Sequence, residues 1–248
     1  MDEAAKLIWI ISDQSGKEIR RMSSSPAKGI VRMNWNLRSN STNSINAESN
    51  GFLVPPGTYS LSISLVHNGS VEELVAKQSF IVKGLNNQTL IAKNSNELVT
   101  FRNEVAALSQ QLSNASNWMS EAKEVLENME SSLKNYPNTE LALLSETRAL
   151  TLLYDNCATA LWGDRIKSSR EFETLPSIND RLGMVEYTLY ENTAGVSSTH
   201  KANKVIVEEQ FTALSASLAD MSKRIQVLQD RLALVPIPFT KSLSHFWK

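Results

Sequence analysis

The residue types that most often carry chemistry are sparse in this chain. Cys157 is the single cysteine, and the three histidines, His67, His200 and His245, are scattered far from it and from one another. A thiolate nucleophile needs an adjacent base, and a structural zinc needs four ligands at short spacing; the sequence offers neither. Cys157 falls instead on the apolar stripe of a helix, where a free cysteine behaves as a small hydrophobe. Glu121, Glu124, Glu127 and Glu130 recur every three residues, a pattern that could set up an acid–base pair. Lys123 interrupts them, which predicts a solvated helix face. Glu171 and Glu173 lie near Arg165 and Arg170 and read as salt-linked loop residues. Trp35 and Tyr59 could stack on a sugar, but Trp35 alternates in register with Val31, Met33 and Leu37, which predicts core packing. His67 sits beside the turn Asn68-Gly69 and is expected to be exposed. Four sequons begin at Asn40, Asn68, Asn87 and Asn114 and would carry glycans in a eukaryotic secreted protein. No nucleophile–base pair, metal set or glycine-rich phosphate loop emerges, so no catalytic residue, metal ligand or cofactor is assigned and no ligand-binding residue can be named.

The elements that would position such residues change character along the chain. Its 248 residues suit one or two domains. Apolar residues make up 42% and charged residues 21%, enough to bury a core. Lys plus Arg is 25 and Asp plus Glu is 26, a formal charge of −1 that draws the chain to neither nucleic acid nor anionic lipid. Residues 1–11 contain too short an apolar run for a secretory signal, and no stretch reaches the roughly 18 apolar residues of a membrane span. The chain as given therefore reads as neither targeted nor membrane-inserted.

Six of the nine glycines fall in the first 84 residues, and that half reads as β. Leu7–Ile11 is a short apolar run. Val31, Met33, Trp35 and Leu37, and later Leu61, Ile63 and Leu65, alternate with polar residues at the period of a half-buried strand. Turn signals separate these runs at Asp13-Gln-Ser-Gly16, Pro55-Pro-Gly57 and Asn68-Gly69, the last suited to a type I′ hairpin. Lys17–Met22, Thr58–Val66 and Glu72–Val82 are the further strands, and Ser39–Asn50 reads as an exposed loop. Residues 1–84 are thus expected to form a small antiparallel Ig-like β-sandwich, and 85–96, polar and Asn-rich, a linker.

Residues 97–235 read as long helices in an up-down four-helix bundle, making the chain an α+β multidomain protein. Leu98, Phe101, Val105, Leu108, Leu112, Ala115, Met119, Ala122, Leu126, Met129 and Leu133 keep the alternating three-and-four spacing of one helical seam. Tyr136-Pro137 ends it. A second helix carries Leu141, Leu144, Leu150, Leu153, Cys157 and Leu161 up to Gly163. A polar crossover, Asp164–Leu175, leads to a third with Ile178, Leu182, Val185 and Leu189. The fourth carries Phe211, Leu214, Leu218, Met221, Ile225, Leu228, Leu232 and Val235, and a proline- and aromatic-containing tail covers 236–248.

Ile11-Ser-Asp13, Ser15-Gly16-Lys17, Ile19-Arg20, Lys28-Gly29, Trp35-Asn-Leu-Arg38, Pro56-Gly57-Thr58-Tyr59 and Phe80-Ile-Val82 resemble the Ig-like domain of the flagellar hook-capping protein. They resemble more closely the region following the β-propeller in bacterial sortilin-like glycosyl hydrolases with BNR or Asp-box repeats. The resemblance extends through Gly163-Asp164 and the motif Pro176-Ser-Ile-Asn-Asp-Arg181 to an aromatic tail, Val235–Trp247. It implies an accessory region of an exported protein, periplasmic, secreted or at the cell surface. The chain has no Asp box, since Ser12-Asp-Gln-Ser-Gly16 has the wrong spacing. The propeller to which the hydrolase activity of the family belongs is therefore missing. Met1 directly precedes the first strand, as expected of an excised piece or a truncated reading frame. The expectation is a non-catalytic region that packs against or presents the propeller as its partner; the alternative is a freestanding interaction module that offers its helical seam to another protein.

Overall fold

In a computed structural model, residues 4–41, 50–85, 95–137, 140–170 and 172–234 are described. Most of the expected linker and the 236–248 tail lie outside them. The fold is α+β. Its strands are β1 (Lys6–Asp13), β2 (Glu18–Ser24), β3 (Arg38–Asn40), β4 (Asn50–Leu53), β5 (Gly57–His67) and β6 (Ser70–Val82). Its helices are α1 (Ser95–Asn135), α2 (Leu141–Trp162), α3 (Arg165–Ser168), α4 (Ile178–Glu191) and α5 (Ser198–Ala233). No helix among the described residues is long and apolar enough to cross a membrane.

Two compact units divide the chain: Met1–Glu104 with Tyr187–Val196, and Val105–Glu186 with Ser197–Lys248. The change in glycine usage placed a linker at 85–96. The first unit instead continues into the opening turns of α1 and takes in a segment more than eighty residues further on.

The first unit holds a four-stranded antiparallel sheet in the order β2-β1-β5-β6 and a separate two-stranded ribbon, β3-β4. Alternation fixes the register of the central pair, because Leu7, Trp9 and Ile11 stand opposite Leu65, Ile63 and Leu61 on one face. The Asp13 carboxylate organises the turn into β2 by accepting from the backbone N–H of Ser15 at 2.9 Å and of Lys17 at 3.0 Å. Gly16 there takes a φ of 86° that other residues adopt at a cost. Asn68-Gly69 makes the β5–β6 turn, as expected.

Two expectations for this half need correction. Val31–Leu37 is not a strand: Val31, Met33 and Trp35 alternate in burial, but among the described residues no strand pairs with them. Leu37 has a left-handed φ of 59°, and the Asn36 side chain accepts from the Arg38 N–H at 3.2 Å, so the chain turns here. Conversely, the ends of the expected Ser39–Asn50 loop pair as the β3-β4 ribbon, a contact too short and polar to show a strand period; residues 42–49 lie outside the description.

The second unit draws on α2, α3, α5 and most of α1 and α4. All eleven seam residues from Leu98 to Leu133 on α1 are buried, the first two within the first unit. Ile178, Leu182, Val185 and Leu189 of α4 are buried too, as are Leu214 through Leu232 of the α5 seam. The buried face of α2 differs from expectation. It is Leu143, Thr147, Leu150, Tyr154, Cys157 and Leu161, while Leu141 is exposed and Leu144 and Leu153 are half-buried. The polar Thr147 belongs to this face because its hydroxyl donates to the Leu143 carbonyl at 2.9 Å, which satisfies it without a partner helix. Helix α5 begins thirteen residues before the apolar seam at Phe211. A reciprocal cap starts it: the His200 N–H donates to Ser197 Oγ, and the Ser197 N–H to His200 Nδ1. The crossover also contains α3, a single turn whose existence the polar composition concealed.

Candidate functional site

Local signals in the crossover build a concavity of the second unit. Helix α2 ends at Gly163, whose φ of 84° and ψ of 167° belong to a region used almost only by glycine. Asp164 then caps α3, its Oδ1 accepting from the N–H groups of Ile166 and Lys167 at 3.1 and 3.0 Å. Those bonds, led by that from Lys167, hold the carboxyl below the usual aspartate range. After the extended segment 172–177, Ser177 caps α4. Asp180 N–H donates to Ser177 Oγ at 3.1 Å, and Asp180 Oδ2 accepts from the Ser177 N–H at 3.0 Å and hydroxyl at 2.7 Å. Two of the motifs that carry the resemblance, Gly163-Asp164 and Pro176–Arg181, are thus helix punctuation, and their ends meet: a Cβ on Gly163 would lie 3.7 Å from that of Ser177.

Between these caps, α2 and α5 lies a cleft of about 660 Å³. Cys157 and Leu214 are the buried residues along its helical walls, and Ala160 and Ala213 leave it room. Leu175 stands exposed at its edge, and Phe172 and Ile166 are exposed on the same crossover. The charges lining it are Asp164, Lys167 and Glu173; Lys167 pairs with Asp164 at 3.4 Å. Volume and lining suit an apolar body with a few polar contacts. No group of three His, Cys, Asp or Glu side chains able to hold a metal occurs among the described residues.

The other candidates are placed as follows. Cys157 is buried on α2, and burial pushes its thiol above the usual range, the reverse of what a nucleophile needs. Glu121, Glu124 and Glu127 are exposed along α1, and Glu130 bridges Lys134 at 2.7 Å and Arg148 at 3.6 Å. The Lys134 contact foremost lowers the Glu130 pKa. Glu173, Arg165 and Arg170 are exposed; Glu171 lies outside the described residues. Trp35 and Tyr59 pack edge-on at 5.7 Å within the sheet core with Phe80, and Tyr59 donates to the Pro55 carbonyl at 2.7 Å. Burial raises the Tyr59 pKa, with Asp13 adding to it. His67, Asn40, Asn68 and Asn114 are exposed; His245 and Asn87 are outside the description.

Sequence reasoning passed over Arg102 and Arg38, whose guanidinium groups make the most buried polar contacts of the first unit. The signal in the sequence was no more than an arginine next to Phe101 of the α1 seam. It passed over the Ser177–Asp180 capping box as well, although Ser-x-x-Asp is legible in the chain.

Compared with known proteins, the chain matches no family model, and no curated protein or solved structure was found similar to it.

Proposed function

We propose that the chain is a non-catalytic accessory region of an exported sortilin-like β-propeller protein, with an Ig-like sandwich and an up-down four-helix bundle that pack against or present the propeller. The observation that carries this reading is the use of the signature residues. Gly163, Asp164, Ser177 and Asp180 hold helix ends, so the motifs shared with that family serve architecture. Two helices of 41 and 36 residues, each some 55–60 Å long at about 1.5 Å per residue, suit a spacer.

The alternative, a freestanding module that offers its helical seam to a partner, is less well supported. Leu218, Met221 and Ile225 in that seam have no exposed surface. A partner would meet the cleft and its exposed Leu175 instead.

The test is to purify the propeller of such a protein separately and mix it with this chain. Co-elution on size exclusion, lost on Leu175→Asp or on an equivalent exposed change, is the expected result. The chain alone should turn over none of a panel of aryl-glycosides, because Asp164, one of the two carboxylates lining the cleft, is committed to capping α3 and pairing with Lys167. Hydrolysis that tracks with the protein through purification would refute the reading.

A further inference from the structure

The last turn of α4 lies in the first unit, and its carbonyls are met by two arginines from distant parts of the chain. Arg102, on the third turn of α1, is buried and donates from Nη2 to the carbonyls of Leu189 and Asn192, both at 2.8 Å. From Nη1 it donates to the Leu53 carbonyl of β4 at 3.0 Å, and its guanidinium carbon lies 5.5 Å from the centroid of the Phe52 ring. Arg38, on β3, donates from Nη1 to the Tyr190 carbonyl at 3.1 Å and lies 3.6 Å from the centroid of the Tyr190 ring. The same nitrogen reaches the Gly51 carbonyl at 3.5 Å. Helix C-termini leave orphan carbonyls at the negative end of the helix dipole, where cations are favoured. A guanidinium is the side chain that can serve several such acceptors at once. The segment beyond α4 is folded on itself: the Asn192 side chain accepts from the Ala194 N–H at 2.7 Å and donates to the Gly195 carbonyl at 3.1 Å.

We infer that Arg38 and Arg102 form an internal latch that closes residues 187–196 over the β3-β4 ribbon, so that strap and ribbon order together and open together. The acceptors of Arg102 among the described residues are neutral carbonyls, so its part of the latch depends on donor geometry. Burial, and secondarily the charge of Arg38, lowers the pKa of Arg102. Opening requires breaking bonds to two separate segments, β4 and the end of α4 with the residues that follow it. Such an element links the first turns of α1, β4 and the α4–α5 connection without any contiguous sequence between them.

Hydrogen exchange on the full chain tests this. In Arg102→Met, amides of 189–195 and of 51–54 should both exchange at least tenfold faster, while those of α2 and the α5 seam stay unchanged. Arg38→Met should act in the same direction on the same two segments, and Arg102→Lys, which keeps charge but loses the fork, should fall between Arg102→Met and the native chain. Acceleration of only one of the two segments, or of neither, overturns the latch. So does uniform acceleration of α2 and α5 in both methionine variants, since the arginines would then support the whole fold and not a local closure.

Discussion

At the scale of single residues, what matters is which polar groups the fold commits. His200 carries a role that its isolation in the sequence hid: its Nδ1 accepts the Ser197 N–H and so must be unprotonated for the cap to form. Burial lowers its pKa below 6.5. Between that folded value and 6.5 the unfolded chain binds the proton more readily, so the stability contributed by neutral His200 is complete above 6.5 and falls as pH drops through this window. His200→Gln keeps a Ser-x-x-Gln box and removes the titration; melting curves between about pH 5 and pH 7.5 should show a shallower acid slope in the variant. Glu127 is the opposite kind of residue. It is exposed and pairs with the exposed Lys123 at 3.8 Å, so Glu127→Lys should shift stability by less than about 0.5 kcal/mol in chemical denaturation.

At the scale of elements, caps and seams make separable predictions. Gly163 lies in glycine-only backbone, yet an added Cβ would meet nothing closer than 3.7 Å. Gly163→Ala should therefore cost about 1–3 kcal/mol from backbone strain alone, and Ser177→Ala about 0.5–2 kcal/mol from the lost α4 cap. Urea titrations followed by circular dichroism would read both. Leu218 is wholly buried in the middle of the α5 seam. Leu218→Asp places an unpaired carboxylate there and should cost several kcal/mol, comparable to the stability of a whole domain. A Leu218→Asp protein that melts like the native chain but no longer self-associates on light scattering would show that the seam serves an intermolecular contact. The long β6 edge carries Glu72, Glu73 and Lys77 and two register shifts against β5, devices that discourage pairing with another strand.

At the scale of the whole molecule, the units are not successive stretches of chain. The first contains Met1–Glu104 and Tyr187–Val196. A fragment of residues 1–92 would leave the Leu53 carbonyl without Arg102 and Arg38 without Tyr190. It is also small enough to be marginal by area alone. Such a fragment should unfold at lower urea than the sheet of the full chain, followed by the fluorescence of Trp9 and Trp35. A fragment as resistant as the full chain would show that the sheet needs neither α1 nor the strap.

Sequence periodicity by itself determined the seams of α1, α4 and α5, because an apolar residue every three or four positions has one stable arrangement, with that face inward. It determined the β1, β2, β5 and β6 strands, through alternation and turn residues that act over a few positions. It also foresaw that Cys157, Trp35 and Tyr59 pack among apolar side chains, since each lies in phase with its apolar neighbours. Tertiary structure alone decided the rest. Val31–Leu37 has strand alternation, but among the described residues no strand pairs with it. The cleft needs α2, α5 and the crossover to converge, and the arginine latch joins residues as far apart as Arg38 and Tyr190. No local pattern encodes such contacts, because a guanidinium on an amphipathic helix looks the same in sequence whether it points to water or to three carbonyls.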